Sequence, residues 1–212
     1  MNKFIFSIDG NIGSGKSTLV DYLKQNLKDI GNYNVIFLQE PIEIWNKIKD
    51  LDGTSILEKY YSNPERYSFA FQMMAYITRL STLRKAFREA PNNTIILTER
   101  SLHTDYNIFA KMLHDSGKIE EVEYSIYCNW FYEFIDELGI SGFIYLQNSP
   151  EVCYSRIQSR NRKGEENISI EYLIDCDKYH EKWLIDTNCL YLKDTNEFTL
   201  YQISNFILKT IR

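Results

Sequence analysis

Gly10-Asn11-Ile12-Gly13-Ser14-Gly15-Lys16-Ser17 stands between the apolar run KFIFSID at residues 3–9 and a stretch from Ser17 to Lys28 in which Leu19, Val20, Leu23 and Leu27 recur at helical spacing. The octet fits GxxxxGK[ST], and strand, glycine loop and helix are the context that pattern requires. Glycines let successive backbone N–H groups wrap a chain of phosphates, and the N-terminus of the following helix adds partial positive charge. Gly10, Asn11, Ile12, Gly13, Ser14, Gly15, Lys16, Ser17 and Thr18 are therefore the expected phosphate contacts. Lys16 is expected to reach the β- and γ-phosphates and Ser17 to ligate Mg²⁺.

Outward from this unit, short apolar runs at Val35–Leu38, Thr94–Thr98, Phe143–Leu146 and Cys189–Leu192 read as four more strands. Helical periodicity spans Glu65–Glu89, Thr104–Leu113, Glu120–Leu138 (stopped by Gly139) and Glu197–Ile211. Another helix opens at Pro150, and Arg160–Glu166 is a charged break. Helices separate the strands, which predicts an α/β fold with a five-stranded parallel sheet flanked by helices. The 212 residues suit one domain and are short for two separate cores.

Composition narrows the function classes. A formal net charge of −5 argues against a general nucleic-acid binder, which needs a Lys/Arg surplus on one face, and leaves small anionic ligands open. Cys128, Cys153, Cys176 and Cys189 lack CxxC spacing, so buried reduced thiols are expected rather than a zinc site or disulfides. The sequence holds no apolar run of membrane-spanning length, and a strand beginning by Lys3 leaves no room for a removable leader, so a cytoplasmic location is expected.

Ligands of an open parallel sheet sit beyond the carboxyl ends of its strands. Asp9, Glu40 and Glu99 fall at three such ends. A hydroxyl acceptor needs an orienting or accepting carboxylate and Mg²⁺ needs oxygen ligands, so Glu40 is assigned the first task and Glu99 the second. Arg100 adjoins both. Arg156, Arg160 and Arg162 form a basic cluster, with Arg156 and Arg160 on one helical face, and suit a lid at about residues 160–168 that stabilises a phosphoryl group in flight. No guanine-specifying NKxD motif follows the glycine loop, and the length has no room for motor machinery. A P-loop kinase with ATP or another nucleoside triphosphate as donor and a small acceptor is the reading that remains.

The chain also resembles the deoxynucleoside kinases of the deoxycytidine/deoxyguanosine kinase and insect deoxynucleoside kinase type. The matching motifs are GNIGSGKST at residues 10–18, EPIEIW at 40–45, NPERYSFAFQ at 63–72, ERSLHTDYNIFA at 99–110, IYLQNSPEVCYSRI at 144–157 and EYL at 171–173. This resemblance implies that Glu40 is the catalytic base for the 5′-hydroxyl, that Arg100 positions it and that Glu99 organises Mg²⁺. It further implies that Gln72 pairs with the base, that Phe71 and Phe109 pack on it, that Trp45 lines the pocket, and that Tyr61 and Glu165 hold the 3′-hydroxyl. Glu197 and Phe198 are similar in position to the loop that holds the donor base. Arg79 and Asp105 match positions that favour cytosine and purines over thymine, while Leu57 and Tyr60 flank the base pocket. Relatives form homodimers through long helices, which Glu65–Glu89 and Glu120–Leu138 would supply. A nucleoside monophosphate kinase and a catalytically silent nucleotide-binding subunit are the competing readings.

Overall fold

A computed structural model of the chain describes residues 2–193, 195, 196 and 198–212. Its strands are β1 (Lys3–Gly10), β2 (Asp29–Ile30), β3 (Tyr33–Leu38), β4 (Thr94–Glu99), β5 (Ile140–Leu146) and β6 (Cys189–Leu192). The helices are α1 (Lys16–Asn26), α2 (Ile42–Lys47), α3 (Ile56–Ser62), α4 (Pro64–Glu89), α5 (Leu102–Thr104), α6 (Lys111–Asp115), α7 (Glu121–Phe134), α8 (Pro150–Arg160), α9 (Ile170–Leu184) and α10 (Thr199–Thr210).

The sheet order is β2-β3-β4-β1-β5-β6, with all neighbours parallel except the β2–β3 pair. The five expected parallel strands are present, and β2 is an addition. It is two residues long, too short for any periodicity, and pairs back through a tight turn in which Gly31 takes φ +61°. Because β1 lies between β4 and β5, the chain passes beyond β4's place to lay down β3 and then returns. The carboxyl ends of β1, β3 and β4 are thereby brought to one rim.

Side-chain alternation along β1 sorts two cores. Phe6 and Ile8 pack with Leu19, Val20 and Leu23 of α1 and Ile203 and Ile207 of α10. Ile5 faces the other way, with Tyr76, Leu80 and Leu83 of α4 and Tyr127 and Phe131 of α7. Each such fully buried side chain contributes about 1.5–3 kcal/mol. Tyr76 meets Tyr127 edge-on at 5.6 Å and donates to the Trp130 carbonyl at 2.7 Å, so its hydroxyl is satisfied in the interior.

Helix α4 starts as its sequence says, with the Asn63 side chain capping it and Pro64 in the first turn, and it ends before Pro91. Three helices go beyond the periodicity argument: α2, α3 and α9. The expected helix over 104–113 runs instead from Leu102 to Asp115, with a widened π-helical turn at Asp105–Ala110. The thiol expectation holds for Cys153 and Cys176, while Cys128 and Cys189 are half-buried; all four are free. No described helix is long and apolar enough to cross a membrane.

Candidate active site

A cavity of about 400 Å³ opens at the carboxyl ends of the parallel strands. One side of it is the glycine loop between β1 and α1. Gly13 (φ +81°) runs so close to α8 that a Cβ there would come within 2.5 Å of the Cys153 carbonyl. Gly15 (φ +98°) caps α1. The loop is tied down from outside by Asn11 Nδ2 donating to the Leu173 carbonyl at 2.8 Å and by Arg156 Nη1 donating to the Ser14 carbonyl at 3.0 Å. Ile12, Gly13, Gly15, Lys16, Ser17 and Thr18 line the cavity; Gly10, Asn11 and Ser14 shape the loop behind them.

Lys16 Nζ donates to the carbonyls of Gly10 and Asn11 at 3.0 and 2.7 Å. Burial, with Arg100 beside it, lowers its pKa to about 7 against the pull of Glu99, Glu40 and Asp9. Ser17 Oγ donates to Glu99 Oε1 at 2.7 Å. Asp9, the third strand-end acid, is buried and accepts from Thr104 Oγ1; it ties β1 to the helix that follows β4 and lies outside the cavity lining.

The floor is a buried charge cluster built by four elements. Arg79, from the middle of α4, donates through Nε to Asp105 Oδ2 at 2.8 Å, through Nη1 to the Glu99 carbonyl at 2.8 Å and through Nη2 to Glu40 Oε1 at 3.0 Å. Arg100 Nε lies 3.4 Å from the same Glu40 oxygen. Burial pushes the Glu40 carboxyl up, but Arg100, Arg79 and Lys16 outweigh it and hold the group below the usual carboxylate value. For Asp105 burial wins over Arg79, and its carboxyl is raised. Burial lowers Arg79 while Asp105 and Glu40 raise it, with a net rise. Arg100 follows β4 in a left-handed conformation (φ +63°), a strain tolerated because Arg100 N bonds to the Ile8 carbonyl at 3.0 Å and the guanidinium sits 4.7 Å over the Phe109 ring.

The remaining wall is aromatic. Trp45 packs edge-on to Phe71 at 5.4 Å and anchors its indole N–H on Thr78 Oγ1 at 2.9 Å. Phe71 stacks on Tyr60 at 4.5 Å, and the Tyr60 hydroxyl shares a 2.9 Å hydrogen bond with Tyr172 of α9. Gln72, 2% exposed, lines the cavity next to Phe71. Burial keeps the Tyr61 phenol protonated far above its ordinary range.

The lid follows α8. Glu165 is almost fully buried, accepting from Arg160 Nε at 2.7 Å and Arg162 Nη1 at 3.1 Å; all three line the cavity, as does Arg156. Phe198 is 63% exposed at the start of α10 and is not part of this lining. Glu197 lies outside the described residues. Sequence reasoning missed Ile42, Ala75 and Tyr172, which also line the cavity. Ala75 stands three residues after Gln72 on α4 and was legible from helical spacing; Tyr172 depends on α9, whose capping serine, Ser169, was its visible signal.

Comparison with known proteins points to one family. A family model described as deoxynucleoside kinase matches residues 6–208. A probable deoxycytidine kinase of fowlpox virus (strain NVSL) is 41% identical over 86% of this chain and 72% of its own length. The deoxycytidine kinase of Homo sapiens is 35% identical over 92% of this chain and 82% of its own. A mitochondrial deoxyguanosine kinase of Xenopus laevis is 29% identical over 84% and 72%.

Proposed function

The chain belongs to the deoxynucleoside kinase family, and from that premise we propose that it moves the γ-phosphoryl of ATP to the 5′-hydroxyl of deoxycytidine, deoxyadenosine or deoxyguanosine in preference to thymidine. The observation that carries this reading is Glu40. Arg79 and Arg100 both meet its Oε1 at the cavity floor, on the rim shared with Lys16, so Oε2 is the oxygen assigned to the acceptor hydroxyl.

The two arginines keep Glu40 ionised, so it accepts a hydrogen bond and aims the hydroxyl without much proton affinity. That suits a loose phosphoryl-transfer transition state, in which the proton leaves late. Lys16 and the lid arginines neutralise charge on the transferring group. Ser17 Oγ and Glu99 Oε1 are hard oxygen donors side by side, which fits Mg²⁺, an ion that takes one or two protein oxygens and completes its shell with phosphates and water. Held there, Mg²⁺ would supply charge neutralisation between the donor's phosphates.

For the acceptor, Gln72 offers a donor and an acceptor to a base edge between Phe71 and Phe109. Tyr61 and Glu165 serve the 3′-hydroxyl. The Arg79–Asp105 pair presents charged hydrogen-bonding groups to an exocyclic amino group or a purine edge and fills the room a thymine methyl needs. Relatives named for deoxycytidine and deoxyguanosine support two of these bases. A homodimer joined through α4 and α7 is part of the proposal; Val122, Ile126 and Trp130 recur every fourth residue on α7 and are exposed, as is Ile77 on α4.

The test is a panel of the four deoxynucleosides and their monophosphates, each with ATP and with UTP. Deoxycytidine or a purine deoxynucleoside is expected to give the highest kcat/KM. Preferred turnover of thymidine would sink the base assignment, and preferred turnover of a monophosphate would sink the acceptor class.

A further inference from the structure

The lid does more than carry Glu165 and its arginines. It also meets the acceptor side of the site: Ile168 packs in one apolar cluster with Tyr61 of α3, and an ion pair adds a second contact. Lys163 Nζ lies 2.6 Å from Glu58 Oε1 in the first turn of α3. The other oxygen of that carboxylate, Oε2, accepts from Ser55 N at 2.8 Å, closing the capping box that starts α3. Next in the chain, Gly164 turns at φ +93°, and a Cβ there would lie 3.3 Å from the Glu58 Cα, so the lid backbone rests on the same turn of the helix. One residue further on, Glu165 is buried in the cavity wall. Along α3 from Glu58, Tyr60 and Tyr61 enter the same wall.

We propose that Lys163 and Glu58 are positioning residues: their ion pair latches the lid turn onto α3 and so places Glu165 and its two arginines over the acceptor. Neither side chain lines the cavity, so the pair acts through others. An exposed ion pair is usually weak because two flexible side chains must be ordered. Here the cap already orders Glu58, and only the Lys163 stem, 83% exposed, gives up freedom. Opening the latch lowers the fraction of enzyme with a seated lid, and the apparent affinity for the nucleoside falls by that fraction. The inference rests on the kinase reading above. Wild-type turnover of deoxycytidine checks that reading separately, and the latch variants are compared only with an active wild type.

The experiment is a double-mutant cycle of Lys163→Met and Glu58→Gln, the glutamine being able to keep the cap. Each single variant is expected to raise KM for deoxycytidine about two- to fivefold, the scale of an exposed pair, with KM for ATP and the melting temperature unchanged. The double variant is expected to match the singles, since the interaction can be lost only once. Raising ionic strength from about 0.05 to about 0.5 M should shift the wild-type KM the same way and leave the variants flat. Additive effects, a Lys163→Met change confined to the ATP KM, or no change in either single variant would each overturn the latch.

Discussion

Two pairs of arginines face the cavity from different elements and under different physical terms. Arg79 and Arg100 lie in the floor with 4% and 3% of their side chains exposed, and Glu40 and Asp105 lie between and beside them. Arg160 and Arg162 belong to the lid, are 33% and 38% exposed, and both pair with Glu165. A cation taken fully from water needs fixed carboxylates around it, and the resulting cluster is rigid because every member depends on the others. A cation left a third in water needs far less holding. The floor is therefore a preorganised template, and the lid arginines are held with fewer fixed partners.

The sharpest way to break this comparison is to remove one floor cation. Arg79→Met leaves the Asp105 carboxyl buried without its partner, and a loss of about 3–5 kcal/mol in chemical unfolding is expected. Removing both partners in Arg79→Met/Asp105→Ala should cost less stability than the single change and should add thymidine turnover. A single variant as stable as wild type would show that the floor is not a mutually dependent cluster.

A smaller effect separates the lid. Arg160→Gln should lower kcat by about 100-fold or more, as loss of one group stabilising the transition state does, while the stability loss stays below that of Arg79→Met because Arg162 still pairs with the buried Glu165. If unfolding shifts as far as for Arg79, the two arginine pairs are not different in kind.

The smallest effect is in pH. Lys16 binds phosphate in its protonated form, and burial beside Arg100 has brought its pKa in the free enzyme to about 7. The binding form is complete below that value and is lost as pH rises through it, so kcat/KM for ATP should fall about fourfold between about pH 6 and 7.5. Once the donor phosphates are bound they keep Lys16 charged, and kcat should stay level. A kcat that falls in parallel would place the titrating group elsewhere.

These residues differed in how far they could be read in advance. Gly10–Ser17 was legible because loop, strand and helix are contiguous, and the φ values of Gly13 and Gly15 match the turn that the spacing demands. Glu99 and Glu40 were found through a topological rule about strand ends; Asp9 also stands at a strand end, and its side chain turns to Thr104 instead of the cavity. Arg79 and Asp105 entered through family resemblance. Nothing in their local sequence says that residues 26 apart form one ion pair, or that the same guanidinium also reaches Glu40. Tyr172 lay inside the matched EYL motif and α9 showed its capping Ser169, but neither signal by itself assigned Tyr172 to the cavity wall.

The sequence by itself determined the phosphate loop, the alternation of strands and helices, and the family, because these rest on local spacing and on ordered motifs along the chain. Only the tertiary structure decided which oxygen of Glu40 is taken by the arginines, that Lys16 is pressed toward neutrality, and that the lid rests on α3. Those outcomes depend on desolvation and on charges brought within a few ångströms by elements far apart in sequence, and both quantities come into being only when the sheet assembles.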